Sequence, residues 1–247
     1  DIVDSSKYFS HKKSFSVDTK INNNSSDTTE MDIKELSQVL HGNNFDFIIF
    51  DACFMSSIEI AYELKSVTKY LIASPSEILS SGFPYNRVVP LLFNESFQPK
   101  DIANTYYNFY MEQKGVLKSG SIAVINAKEL DNLASCVSLI NSKYPLQKIS
   151  SIDSIQQYDR QKAYILFDLK QLLLLQLKGV NNAQLTESFN RAWSNCILLE
   201  SHTDNILGTL KLDNCNGISV FIPNQRQSSL LNYYKTLSWY KACSYEN

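Results

Sequence analysis

The sequence has no excess of charge to offer a polyanion: 23 Lys and Arg stand against 25 Asp and Glu, a formal net charge of −2. That balance excludes nucleic acid as the main partner, because no basic surplus exists to neutralise phosphates. A membrane span is excluded too, since it needs a run of ~20 apolar residues and the longest candidate, Leu172 to Leu177, is far too short. The five cysteines (Cys53, Cys136, Cys196, Cys215, Cys243) include no CxxC pair and stand at no metal-ligand spacing to the three histidines. No metal and no cofactor is therefore expected. The odd cysteine count leaves at least one thiol unpaired, Cys136 reads as a small core residue, and the sequence leaves a Cys196–Cys215 disulfide open. The given residues read as containing no signal peptide, no EF-hand loop and no internal repeat. Position 1 is Asp rather than Met, so residues upstream are expected to have been removed or omitted.

What is present describes an ordinary globular chain. With 247 residues, 44% of them hydrophobic and 19% charged, it can bury a large core. Residues 1–30 are rich in Ser, Asn, Asp and Lys, with "NNNSSDTT" at 22–29, and read as a flexible polar loop. "TEMDIKELSQVL" places Met31, Ile33, Leu36 and Leu40 at helical spacing, with Asn43-Asn44 as the stop. Strands are then expected at 45–50, 69–74 and 120–127, with helices at 55–67, 100–114 and 128–143 between and after them. This alternation predicts an α/β fold whose sheet is parallel or mostly parallel, with helices on both faces. Residues 31–145 read as that core. Residues 146–247 read as a mixed α/β part packed on it, with helices in "ILFDLKQLLLLQLK" and "NNAQLTESFNRAWSN" and strands in "CILLES" and "NGISVFIPN".

The stretch "FDFIIFDACFMSSIEIAYELK" at 45–65 runs an apolar strand into Asp51-Ala52-Cys53 and then into a helix. In open α/β sheets the carboxyl ends of strands are where active sites form. Ser56 and Glu59 match the Ser-x-x-Glu capping box, so the helix would point its positive end at Cys53 and favour the thiolate. The plain alternative is that Cys53 is a buried spacer. Asp51 could serve as a phosphatase nucleophile, but that motif wants a second Asp at position 53, where Cys stands.

That stretch, with "YLIASPSEILSSGFPY", "VINAKELDNLA", "FDLKQLL" and "NGISVFIPN", resembles the clostripain family of cysteine peptidases in the caspase-like clan, over roughly residues 30–240. The resemblance implies a caspase-like fold and an endopeptidase that cuts peptides and proteins after Lys or Arg through a Cys53 acyl-enzyme, with the Cys53 backbone N–H in the oxyanion hole. It also implies an extracytoplasmic location. Asp51 would sit beneath the basic side chain in the S1 pocket, or else serve as a plain hydrogen-bonding carboxylate. Ser74, Ser76 and Glu77 are the further candidates to line that pocket.

The family's base is a His-Gly at the end of an apolar strand before the cysteine. His41-Gly42 has the dipeptide but precedes the Cys53 strand, so it belongs at the opposite end of the sheet, roughly 25 Å away. His11 is followed by Lys, and His202 lies after a late strand. The catalytic histidine and the first strands of the sheet are thus expected upstream of Asp1, on an N-terminal fragment of the same precursor, separated by truncation or by autoprocessing in the lysine-bearing segment (Lys7, Lys12, Lys13, Lys20). The alternatives are an inactive caspase-like binding module and a structural fragment that needs its N-terminal part.

Overall fold

The computed structural model describes residues 14–22, 25–149, 152–160, 165–222 and 228–243. Its first elements correct the reading of 1–30 as loop over 14–22 and 25–30. Strands β1 (Ser14–Asn22) and β2 (Ser25–Asp32) form an antiparallel hairpin. Polar composition concealed the alternation of Phe15, Val17, Thr19 and Ile21 with Ser, Asp and Lys, a period of two that suits a strand. His11 lies outside the described residues.

Helix α1 (Ile33–Leu40) starts on a reciprocal cap. Asp32 accepts the N–H groups of Lys34 and Glu35 while the Glu35 carboxylate accepts the Asp32 N–H. It ends at His41, as its helix C-cap. There follow β3 (Phe45–Ile49), α2 (Ile58–Leu64), β4 (Thr68–Ala73), a short α3 (Tyr85–Val88), α4 (Pro99–Met111), β5 (Ser121–Asn126) and α5 (Leu130–Lys143). The second half brings β6 (Leu166–Asp168), α6 (Leu169–Val180), α7 (Ala183–Cys196) and β7 (Ile197–His202). Two short strands, β8 (Asn205–Ile206) and β9 (Leu210–Lys211), precede β10 (Ser219–Phe221), α8 (Ser228–Tyr234) and α9 (Ser238–Ala242).

The main sheet has the order β3-β4-β5-β7. Only β3 and β4 are parallel, with Phe47 opposite Tyr70. β5 runs antiparallel to both its neighbours, so that Ala73, Ala123 and Glu200 share one row and Ser121 stands opposite His202. The sheet is therefore mixed, not mostly parallel. Alternating strands and helices in a sequence do not say whether a connection crosses the sheet once or returns to the end it left. The segment from Ser74 to Gly120 returns.

Alternation along the strands divides the core. Leu71, Ala73 and Ile125 belong to a large apolar cluster with residues of α2, α5, α6, α7 and α9. Ile72, Ile122 and Val124 pack on the other side against Ile102, Ala103, Tyr106 and Tyr110 of α4. A wholly buried tyrosine such as Tyr106 removes ~200 Å² from water, an upper-limit contribution of about 5 kcal/mol. Among the described residues β3 pairs on one side only, with β4, and Phe45 at its start is exposed.

Candidate active site

Because β3 and β4 run the same way, they end side by side, and their exit loops are laced together. The Phe50 N–H donates to the Ile72 carbonyl at 3.0 Å, Phe54 to Ser76 at 2.9 Å and Ser56 to Ser74 at 2.9 Å. Between these ties the chain turns sharply, and Phe54 adopts φ +63°. A left-handed backbone at a residue with a bulky side chain costs of order 1–3 kcal/mol. The turn brings both Asp51 and Cys53 to the surface.

Cys53 lies against the β4 exit loop. The Ile78 N–H donates to its sulfur at 3.3 Å, and the thiol reaches the Ile78 carbonyl at 3.7 Å. Burial raises the thiol above its ordinary pKa, and the charges of Glu77 and Asp51 raise it further, against the N–H groups of Ile78 and of Cys53 itself. The expectation of a helix-stabilised thiolate is thus corrected. The N-cap of α2 is Ser57, four residues beyond the cysteine, and its hydroxyl accepts the Ile60 N–H. Glu59 closes no capping box, because its carboxylate turns inward to accept the Phe221 N–H at 2.7 Å.

Asp51 is held by two donors on one oxygen, the Tyr85 hydroxyl at 3.0 Å and the Phe83 N–H at 3.3 Å. Gly82 makes this possible. It has φ +61°, and a Cβ there would stand 2.5 Å from Asp51 Oδ2. The Tyr106 hydroxyl is buried nearby without a protein hydrogen-bond partner, close enough that the charges of Asp51 and Cys53 act on it. Tyr110 closes the floor by donating to the Gly82 carbonyl at 2.8 Å.

The other candidate pocket residues fall in different places. Ser74 and Ser76 are both 0% exposed and form a hydroxyl cluster with Ser121 at 2.8 and 2.7 Å. Their side chains brace the loop from beneath and do not reach the surface. Glu77 does lie beside Cys53, but its carboxylate is engaged by a two-pronged ion pair with Arg160. On the far side, the Ser56 hydroxyl donates to the Gly217 carbonyl at 2.6 Å and Ser219 donates its N–H to the Ser56 carbonyl at 2.9 Å. The cysteine loop is thereby fixed between the β4 exit loop and β10.

Neither described histidine joins Cys53. His41 precedes β3 and so lies at the opposite end of the sheet. His202 is at the same end as Cys53, but three strands across, which at ~4.8 Å per strand is about 14 Å. The sequence reading missed Tyr85, Gly82, Ser121 and Arg160. Gly82 carried a turn signal in "SSGFPY", whereas Arg160 is 83 residues from Glu77 and had none.

A profile of the clostripain family matches residues 5–247. No curated protein gives a match to this chain. Among solved structures, a B. fragilis cysteine protease superposes with a TM-score of 0.79 at 27% identity, covering 92% of this chain and 96% of that one. A clostripain from Bacteroides thetaiotaomicron in complex with the peptide inhibitor BTN-VLTK-AOMK gives 0.77 at 29% identity, covering 91% and 97%. A secreted C11 cysteine protease from the same species, in complex with an irreversible peptide inhibitor, gives 0.77 at 28%, covering 92% of this chain and 69% of that one.

Proposed function

Because this chain belongs to the clostripain family and has its caspase-like cysteine protease fold, we propose that it is an endopeptidase cutting after lysine or arginine, with Cys53 as nucleophile. One observation carries the reading: Cys53 and Asp51 emerge together from the carboxyl end of β3, an exposed thiol beside an exposed carboxylate. A lysine or arginine side chain entering beside Tyr85 would meet the Asp51 carboxylate, a charge-assisted contact. Its carbonyl carbon would then lie within reach of the Cys53 sulfur. The inhibitor bound by the B. thetaiotaomicron clostripain, whose peptide letters end in K, supports a basic residue at that position.

The chemistry needs a base. A thiol whose pKa lies above the ordinary value is protonated at neutral pH, so attack requires a neighbour that removes the proton as the C–S bond forms. We assign this to a histidine outside the described residues, on a strand that pairs with the open side of β3 and belongs to the N-terminal part of the same precursor. The sulfur adds to the carbonyl, the developing oxyanion takes the Cys53 N–H, and the histidine returns the proton to the leaving amine. Water then hydrolyses the thioester. Ser74 and Ser76 act by holding the loop, and Glu77 acts through its pair with Arg160. Work outside the cytoplasm accords with the secreted relative.

Covalent capture tests the proposal. A lysyl acyloxymethyl ketone should label the assembled enzyme once, at Cys53. A norleucyl analogue should label it far more slowly, and Cys53→Ala should take no label. Labelling at another residue, or equal rates for the two reagents, would overturn the assignment.

A further inference from the structure

Among the described residues, one group of metal-competent side chains stands apart from Cys53. Glu200 and His202 alternate on β7 and so project from the same face of the sheet. The loop after β9 folds back over that face and brings Cys215 to them. Gly217 makes the approach possible, with φ +82° and a position where a Cβ would lie 2.7 Å from Glu200 Cβ and 3.0 Å from Ala123 Cβ. One carboxylate oxygen, one imidazole nitrogen and the sulfur then lie within 4.8 Å of one another. Glu200 is exposed, His202 half-buried and Cys215 buried, so the group opens to solvent on one side.

Two further features suit a bound cation. His202 Nδ1 lies 3.0 Å from the Thr203 carbonyl oxygen, which can only accept. Nδ1 is therefore the protonated nitrogen of this contact and Nε2 the one available to a cation, the arrangement that orients metal-ligating histidines. The Cys215 sulfur is in no disulfide and receives the Gly217 N–H, with the Tyr158 oxygen 3.5 Å away. The Gly217 N–H occupies one lone pair of the sulfur and leaves the others for a cation. Tyr158 is itself fixed by a 2.6 Å bond to Asp168.

We propose that Glu200, His202 and Cys215 bind a single Zn²⁺ ion, with the fourth position open to water. Sulfur, nitrogen and oxygen in one set select a borderline cation such as Zn²⁺ over Ca²⁺ or Mg²⁺, which want oxygen alone. A thiolate and a carboxylate balance its two charges. Closing tetrahedral bonds draws the three atoms together by roughly 1 Å, a contraction the solvent-facing Glu200 side chain can supply. The ion would tie the Cys215 loop to β7, and the same loop holds Ser56 through the Gly217 carbonyl. This site needs nothing from the protease assignment.

The test uses the full chain with Cys53→Ala, so that the candidate nucleophile contributes no ligand. Zn²⁺ is titrated against a chromophoric chelator, and Co²⁺ is followed by its thiolate charge-transfer absorption in the near ultraviolet. One equivalent should bind. His202→Ala should weaken binding by at least ~10-fold and Glu200→Gln by a comparable factor, both at positions that reach solvent and leave the fold intact. Cys215→Ser should abolish the Co²⁺ thiolate band. No tight binding, affinity within about twofold in His202→Ala and Glu200→Gln, or a thiolate band surviving Cys215→Ser would each overturn the proposal.

Discussion

Asp51→Asn separates the charge of the candidate S1 carboxylate from its shape. The amide keeps an oxygen for the Tyr85 hydroxyl and the Phe83 N–H, both of which converge on Asp51 Oδ2, so the loop should hold its position. What disappears is the negative charge offered to a lysine or arginine substrate. A hydrogen bond to a charged group is worth ~1.5–3 kcal/mol and one between neutral groups ~0.5–1.5. Asp51 is exposed, so the Coulomb contribution at contact belongs near the water end of its range, about 1 kcal/mol at 4 Å. Together these give a loss of about 2 kcal/mol, or roughly 30-fold in kcat/KM for basic substrates. The same substitution removes one of the charges that raise the Cys53 thiol, which should quicken attack on every substrate alike. The diagnostic quantity is therefore a ratio: kcat/KM for lysyl over norleucyl peptides, measured on the assembled enzyme, should fall by about 30-fold. An equal loss with both peptides would refute the pocket role and leave Asp51 as a structural carboxylate.

Other substitutions probe the same loops. Cys53→Ala should abolish turnover and shift the thermal midpoint only slightly, because the side chain reaches the surface; retained turnover would mean another nucleophile. Glu77→Gln removes a charge that raises the Cys53 pKa and takes from Arg160 its carboxylate partner. The pH midpoint of Cys53 alkylation by iodoacetamide should accordingly move downward, and an upward or absent shift would contradict the electrostatic account. Gly82→Ala combines a left-handed backbone, worth about 1–2 kcal/mol, with a methyl group pressed on Asp51. It should lower both the thermal midpoint and lysyl-peptide turnover, and an unperturbed variant would show that the Asp51 geometry is wrong. Ser121→Ala leaves the buried hydroxyls of Ser74 and Ser76 short of a partner, a cost of ~1–3 kcal/mol, which denaturant unfolding should read directly.

Local patterns were legible wherever the information was local. The strand Phe45–Ile49 and the helix Leu130–Lys143 lie within the ranges their periodicity suggests, and the strand Thr68–Ala73 is displaced from its range by one residue. The position of Cys53 just beyond a strand was equally plain. Polarity misled over 14–22 and 25–30, because composition was weighed before alternation, and Met31 and Asp32, read with the helix, end the second strand. The orientation of β5 was invisible, since it depends on where the chain goes between Ser74 and Gly120. Ser56 has the right residue type and spacing for a cap, yet Ser57 takes that position and Glu59 finds a better partner in the Phe221 N–H, 162 residues away. Arg160 beside Glu77, and Cys215 beside Glu200 and His202, are products of folding that no window of sequence contains.

The raised pKa of the Cys53 thiol bears on how the protein survives oxidants. Peroxides and disulfides are attacked by thiolates, and a sulfur that stays protonated reacts with them slowly. Until a base is beside it, Cys53 is therefore sheltered from sulfenic acid formation and mixed disulfides despite standing at the surface. In the proposed mechanism, the same proton that would withhold attack preserves the reduced sulfur that the attack would use.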